Sequence, residues 1–150
     1  MKGTTGVVTT LLVCPGHGEP MQAANPARFV ADLGIEGCRH ARAGSRRQVL
    51  LIEEETLDDF DLVPGIVKEN VTTRGIDLGA LPVDTKLRLG SEVELWITGP
   101  CHPCDLMDEI REGLQEAIRG RRGVLAWVKS GGVVNVGDAI EILSSSRTVG

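Results

Sequence analysis

Glu92-Val93-Glu94-Leu95-Trp96-Ile97 alternates strictly: Val93, Leu95 and Ile97 fall on one side of an extended chain, and Glu92, Glu94 and Trp96 fall on the other. A period of two predicts a half-buried strand, and Gly99-Pro100 ends it. Downstream, Leu106, Ile110, Leu114 and Ile118 recur every four residues and predict one amphipathic helix. Asp105, Asp108 and Glu109 open that helix and Arg119, Arg121 and Arg122 follow it, as the helix dipole favours. Residues 124–128 read as a strand, Gly131-Gly132 and Gly137-Asp138 as turns, and Ile140 and Ile142 mark a closing strand. Upstream, β-branched and apolar runs predict strands over 6–13, 48–52, 66–73 and 85–89. Residues 26–32 read as one helical turn, 33–45 as a structured glycine-bearing loop, and 53–61 as a short, exposed acidic helix. Seven or so short strands with one clear helix, and one or two short peripheral ones, predict a mainly β protein closed as a barrel.

The 150 residues suit one domain over 1–150, with its core in 7–143 and a frayed tail over 144–150. A chain of this size buries roughly two thirds of its unfolded surface, so it needs no disulfide staples. Its aromatic side chains are Phe29, Phe60, Trp96 and Trp127, so the core is aliphatic and stacking platforms for single-stranded nucleic acid are nearly missing. A net charge of -5 argues further against nucleic acid as a partner. No apolar run reaches the roughly 18 residues of a membrane span. Lys2 followed by Val7 to Cys14 faintly resembles a lipoprotein signal, but Thr9 and Thr10 interrupt it and Val13 is bulky where cleavage wants a small residue. Four cysteines without an export signal imply a reducing, cytoplasmic setting and free thiols rather than disulfides.

Two segments concentrate reactive side chains. Gly99-Pro100-Cys101-His102-Pro103-Cys104 places two thiols just before the predicted helix, whose orphan amides favour a thiolate while Asp105 and Asp108 oppose it. Such a pair can share a metal, form a redox disulfide, present one nucleophile, or simply pack. Gly34-Ile35-Glu36-Gly37-Cys38-Arg39-His40-Ala41, followed by Arg42, Arg46 and Arg47, combines glycines that let a ligand approach with phosphate-clamping guanidinium groups. Asn70, in Lys68-Glu69-Asn70-Val71-Thr72-Thr73, could fix a polar ligand or only form a turn. Arg119, Arg121 and Arg122 offer a second anion site or ordinary helix-end charge. Glu53 to Asp61 reads as a solvated face without metal-loop spacing.

The order of these motifs resembles the MOSC domain family, domains similar to the C-terminal domain of molybdenum cofactor sulfurase. The resemblance runs through Gly34 to Ala41, Arg47-Gln48-Val49-Leu50-Leu51-Ile52, Pro64 to Thr72 and Gly75-Ile76-Asp77-Leu78. It continues through Leu87 to Leu95, Gly99 to Cys104, Gly123 to Val128, Gly131-Gly132 and Gly137-Asp138, and so covers residues 7–143. It implies a β-barrel that binds the molybdenum cofactor, a pterin dithiolene bearing a phosphate, or that carries sulfur for metal–sulfur chemistry. Cys104 matches the family's hallmark cysteine, which the resemblance makes the molybdenum ligand or the persulfide carrier, a task suited to a soft thiolate. Cys101 and His40 are implied as assisting catalytic residues, and Arg47, Arg39, Asn70 and Thr72 as cofactor contacts.

Implied partners are a cysteine desulfurase, or another pyridoxal-phosphate-dependent sulfur donor, and an electron-donor protein if the chain serves a reductase, since its sequence shows no flavin, haem or iron–sulfur signature. One position departs from the pattern: the family's usual Gly-Asp-Arg-His stands here as Gly37-Cys38-Arg39-His40, so a carboxylate gives way to a thiol that could join Cys101 or Cys104 in a thiol cluster. The competing reading is a zinc-stabilised interaction module using Cys14-x-x-His17, Cys38-x-His40 and Cys101-x-x-Cys104, although the spacing is unlike a standard finger. A thiol–disulfide oxidoreductase built on Cys101 and Cys104 would need a βαβ context that the pattern lacks.

Overall fold

The computed structural model describes residues 2–79 and 81–144, with the side chain of Ser144 left out. Its strands are β1 (Thr5–Val13), β2 (Gln22–Ala23), β3 (Ala27–Val30), β4 (Gly34–Ile35), β5 (Val49–Glu53), β6 (Val71–Arg74), β7 (Lys86–Leu89), β8 (Val93–Pro100), β9 (Val124–Ser130), β10 (Gly132–Val134) and β11 (Ala139–Ser144). Three short helices accompany them: α1 (Glu54–Asp59), α2 (Asp105–Ile110) and α3 (Leu114–Ala117). Strands pair in the order β11-β7-β8-β9-β5-β6-β1, and the β11–β1 pairing closes the ring into a barrel. The closure removes free sheet edges. A small second sheet, β10-β3-β4, packs alongside.

The alternation that predicted β8 holds in three dimensions. Val93, Leu95 and Ile97 are fully buried in the barrel interior with Val8, Leu51, Leu87, Leu89 and Ile140. On the opposite side, Trp96 meets Trp127 edge-on at 5.6 Å. The five residues of β5 are all buried because both faces of this strand are covered. Leu51 faces the barrel, and Ile52 faces a second apolar cluster with Leu57, Val67, Met107, Leu114 and Ile118. β5 and β6 run parallel, which requires a crossover, and α1 lies in it.

Four local expectations need correction. The single helix over Leu106 to Ile118 is two helices, α2 and α3. Gly113 takes the left-handed conformation (φ 86°), and the Arg111 guanidinium donates to the carbonyls of Phe60 and Asp61. The four-residue period survived because α2 and α3 both pack on Ile52. Residues 27–30 are a strand rather than a helical turn, since Ala27 and Phe29 bury alternately while pairing with β10 and β4. The strand read over 66–73 starts only at Val71; residues 64–67 form turns, and Lys68 has φ 67°. The helix read as an exposed acidic face buries Thr56 and Leu57, and Glu53 ahead of it is buried too. Ser144 belongs to β11, and the remainder of the expected frayed tail lies outside the described residues.

Candidate functional site

The Gly99–Cys104 segment leaves the end of β8 and is held against the start of β9: the Cys101 amide donates to the Gly123 carbonyl at 2.8 Å. This contact requires Gly123, whose φ is 113° and whose added Cβ would lie 2.5 Å from the Leu51 carbonyl oxygen. The Cys101 side chain is buried with Leu50 and Leu125. Next to it opens a cavity of about 420 Å³ lined by Pro100 to Pro103, by the junction of β5 and α1, and by Arg119 to Val124 except Arg122. Cys104 is the residue just past this lining. It is exposed, has extended backbone, and precedes α2 as its cap residue without a side-chain capping bond.

The cations at this cavity have partners. Lys2 pairs with Glu53, whose other oxygen accepts the Leu78 amide at 2.8 Å; the Glu53 hydrogen bond raises the Lys2 pKa. Arg119 pairs with Glu116, and Arg121 with Asp59. Arg122 is buried, donates to the Val67 carbonyl at 2.7 Å and has two guanidinium nitrogens without partners. Glu69 is also buried. It accepts from the Gly65 amide and the Thr72 hydroxyl, while its second oxygen is unpartnered. Burial pushes the Glu69 carboxyl above the usual glutamate range against the pull of these donors and of Arg122.

The raised carboxyl gives a pH prediction. A raised native pKa means that the folded state binds more protons than the unfolded state, so stability falls as pH rises between the two values. The Glu69→Gln variant, neutral throughout, is expected to remove this contribution and flatten the fall in urea denaturation midpoints from mildly acidic to neutral pH. An unchanged slope would show that Glu69 is ionised in the folded protein.

The structure separates the expected site residues into groups. Asn70 is fully buried and serves as a clip between strands: its side-chain nitrogen donates to the Leu12 carbonyl, and its side-chain oxygen accepts the Leu50 amide at 3.0 Å. Thr72 is likewise fully buried, with its hydroxyl turned to Glu69. Cys38 lies beside Asn70, whose nitrogen reaches its Sγ at 3.4 Å, and beside the Cys14 amide, also at 3.4 Å. Burial pushes the Cys38 thiol up, but hydrogen bonds from the His40 side chain and the amides of Cys14 and His40 outweigh it and bring the pKa down to about 7. Cys38 therefore gathers with Cys14, His40 and Asn70, not with Cys101.

Arg39 and Arg47 are exposed, and among the described residues neither side chain forms an ion pair or hydrogen bond. Their loop is tied to the end of β8, because Arg46 donates to the Thr98 carbonyl at 2.9 Å and accepts from the Thr98 hydroxyl. Cys104, His40, Asn70 and Arg47, expected to share one pocket, do not line the cavity described above; Cys101 and His102 do. Among the described residues no group of three or more His, Cys, Asp or Glu side chains is placed to hold a metal. The sequence offers Cys38 as a departure from the family pattern, as a partner for Cys101 or Cys104 and as a zinc ligand with His40, but not as a thiol paired with Cys14. The Cys38-x-His40 spacing was the available signal for its lowered pKa. The roles of Gln48, which joins the Arg42 carbonyl to the Val128 amide, and of Arg122 carried no such signal.

Comparison with known proteins places this arrangement. The MOSC domain family profile matches residues 38–141. Among solved structures, the YuaD protein of Bacillus subtilis superposes with a TM-score of 0.81 at 20% identity, over 95% of this chain and 97% of that one. YiiM of Geobacillus stearothermophilus gives a TM-score of 0.72 at 17% identity, over 95% and 77%. YiiM of Escherichia coli gives 0.67 at 19% identity, over 99% and 73%. These likenesses establish the barrel and its connections. No curated protein sequence matches the chain. Among the described residues no helix is long and apolar enough to cross a membrane.

Proposed function

The chain belongs to the MOSC domain family, and on that premise we propose that it uses the Cys104 thiolate to ligate molybdenum in a pterin cofactor or to carry sulfur as a persulfide. The observation that carries this reading is exposure: Cys14, Cys38 and Cys101 are buried, whereas Cys104 is exposed at the edge of the cavity-lining segment. A thiol that meets a large ligand or a partner's cysteine must reach solvent.

The donor chemistry suits a dithiolene cofactor with a phosphate. Cys104 is a soft ligand. Arg39 and Arg47 are exposed guanidinium groups that pair with no carboxylate among the described residues, fit to clamp a phosphate bidentately. When bound, the cofactor would supply metal–sulfur redox chemistry. The chain's own part is to hold the metal end through Cys104 and the phosphate end through the arginine loop. His40 lies beside the Cys38 thiol and hydrogen-bonds to it. In the sulfur-carrier mode the partner is a pyridoxal-phosphate-dependent cysteine desulfurase. The Cys104 thiolate attacks the outer sulfur of the donor's persulfide, the donor's S–S bond breaks, and the donor cysteine leaves as thiolate. A reductase mode calls for an electron-donor protein.

Incubation with a cysteine desulfurase and free cysteine is expected to add about 32 Da to the intact protein, lost on reduction. Cys104→Ser abolishes the gain and Cys101→Ser diminishes it less. Protein purified from its natural source is to be assayed in parallel for molybdenum and extractable fluorescent pterin. If no persulfide forms on Cys104 and neither metal nor pterin is found, the reading is wrong.

A further inference from the structure

Cys38 and Cys14 contact each other, whereas Cys101 packs with Leu50 and Leu125, and the proposed function uses neither of the first two thiols. Their backbones are side by side: the Arg39 amide donates to the Cys14 carbonyl at 2.8 Å, and the Cys14 amide points at the Cys38 Sγ at 3.4 Å. The two cysteines, 24 residues apart in sequence, are thus brought next to each other in the fold, the proximity that a disulfide needs first. The Cys14 thiol turns to the Gly16 carbonyl at 3.2 Å, so bonding to Cys38 needs a rotation of the Cys14 side chain.

The surroundings of the Cys38 sulfur are those of an anion. Two N–H groups, from Cys14 and Asn70, are directed at it, and the His40 imidazole accompanies them. Among the described residues no carboxylate forms a hydrogen bond or ion pair with Cys38. A thiolate is the nucleophilic form of cysteine, and its reactivity is greatest where its pKa lies near ambient pH. Cys38 keeps 6% of its surface exposed, and its neighbours Gly37 and Arg39 are exposed, so the loop itself is the side from which peroxide would approach.

We propose that Cys38 and Cys14 form a peroxide-sensitive dithiol, with Cys38 as the attacking thiolate and Cys14 as the resolving thiol. The Cys38 sulfur attacks one oxygen of hydrogen peroxide, the O–O bond breaks, and hydroxide leaves as Cys38 becomes a sulfenic acid. The Cys14 sulfur then attacks the Cys38 sulfur, loses its proton, and displaces water. Two thiols are oxidised by two electrons, one peroxide is reduced to two waters, and the product is an intramolecular Cys14–Cys38 disulfide reversible by a dithiol reductant. The bond would tie the loop after β1 to the loop after β4. It would also remove the sulfur acceptor from Asn70, whose other contacts position Leu50 against Cys101.

The unmodified protein suffices for the test, because tryptic fragments separate the two thiol pairs. Cys14 falls in residues 3–28 and Cys38 in 29–39, while Cys101 and Cys104 share the fragment 89–111. After treatment with hydrogen peroxide, fragments 3–28 and 29–39 are expected to appear joined, with a loss of about 2 Da restored by dithiothreitol. Cys14→Ser is expected to leave Cys38 as a sulfenic acid that dimedone traps, and Cys38→Ser to leave Cys14 unreacted. Free 3–28 and 29–39 fragments after oxidation of 89–111, or a disulfide linking two chains through Cys38, would overturn the proposal. Neither outcome bears on persulfide formation at Cys104, so the two readings fail separately.

Discussion

Gly123→Ala is expected to destabilise the protein by about 3–5 kcal/mol, the sum of an overpacking cost of about 1–3 kcal/mol and a backbone strain of similar size. Two terms act together. The new Cβ would lie 2.5 Å from the Leu51 carbonyl oxygen and 3.2 Å from the Leu50 side chain, and the φ of 113° is one that L residues rarely adopt. The neighbour in the closest contact is backbone of β5, a fully buried strand of the barrel, so it cannot move aside. For a domain of this size the change corresponds to a drop in Tm of roughly 10 °C. Because the Gly123 carbonyl accepts the Cys101 amide, loss of register here also loosens the thiol segment. Calorimetry of the variant checks the effect, and a Tm within about 2 °C of the parent would contradict it.

Asn70→Ala is expected to cost about 3–5 kcal/mol as well, by a different route. The side chain carries three polar contacts inside the fold: to the Leu12 carbonyl, the Leu50 amide and the Cys38 sulfur. Alanine leaves the first two backbone groups without that partner in a site closed to water, and each buried group so orphaned costs about 1–3 kcal/mol. The loss of the third contact withdraws a donor from the Cys38 sulfur, so alkylation of Cys38 at neutral pH is expected to slow as its thiolate becomes less favoured. Guanidinium denaturation measures the first effect and iodoacetamide labelling the second. A variant with unchanged stability would mean that Asn70 is a ligand-facing residue and not a clip.

Much of the barrel was legible because its strands follow local rules. β8 declared itself through alternation, and β1, β5, β7, β9 and β11 through β-branched and apolar runs, since each must bury at least one face. The misread segments are those where tertiary contacts override local pattern. The four-residue repeat from Leu106 to Ile118 is equally compatible with one helix or with two helices on one apolar surface. Only the Arg111 contacts and the turn at Gly113 separate them. Residues 27–30 form a strand because β10, more than a hundred positions later, supplies a pairing edge.

The sequence by itself determined the fold class and the family, because turn residues, hydrophobic period and ordered motifs are local properties of the chain. The tertiary structure decided which thiol meets solvent, which lines the cavity and which is held near its own titration point. Those depend on burial and on donors brought in from distant strands. Cys101 and Cys104 are three positions apart, yet one packs against Leu50 and Leu125 while the other stands exposed, a difference that spacing alone does not carry. Cys38 owes its lowered pKa to His40 nearby in sequence and to the amide of Cys14, a partner that only closure of the barrel and its flanking loops could deliver.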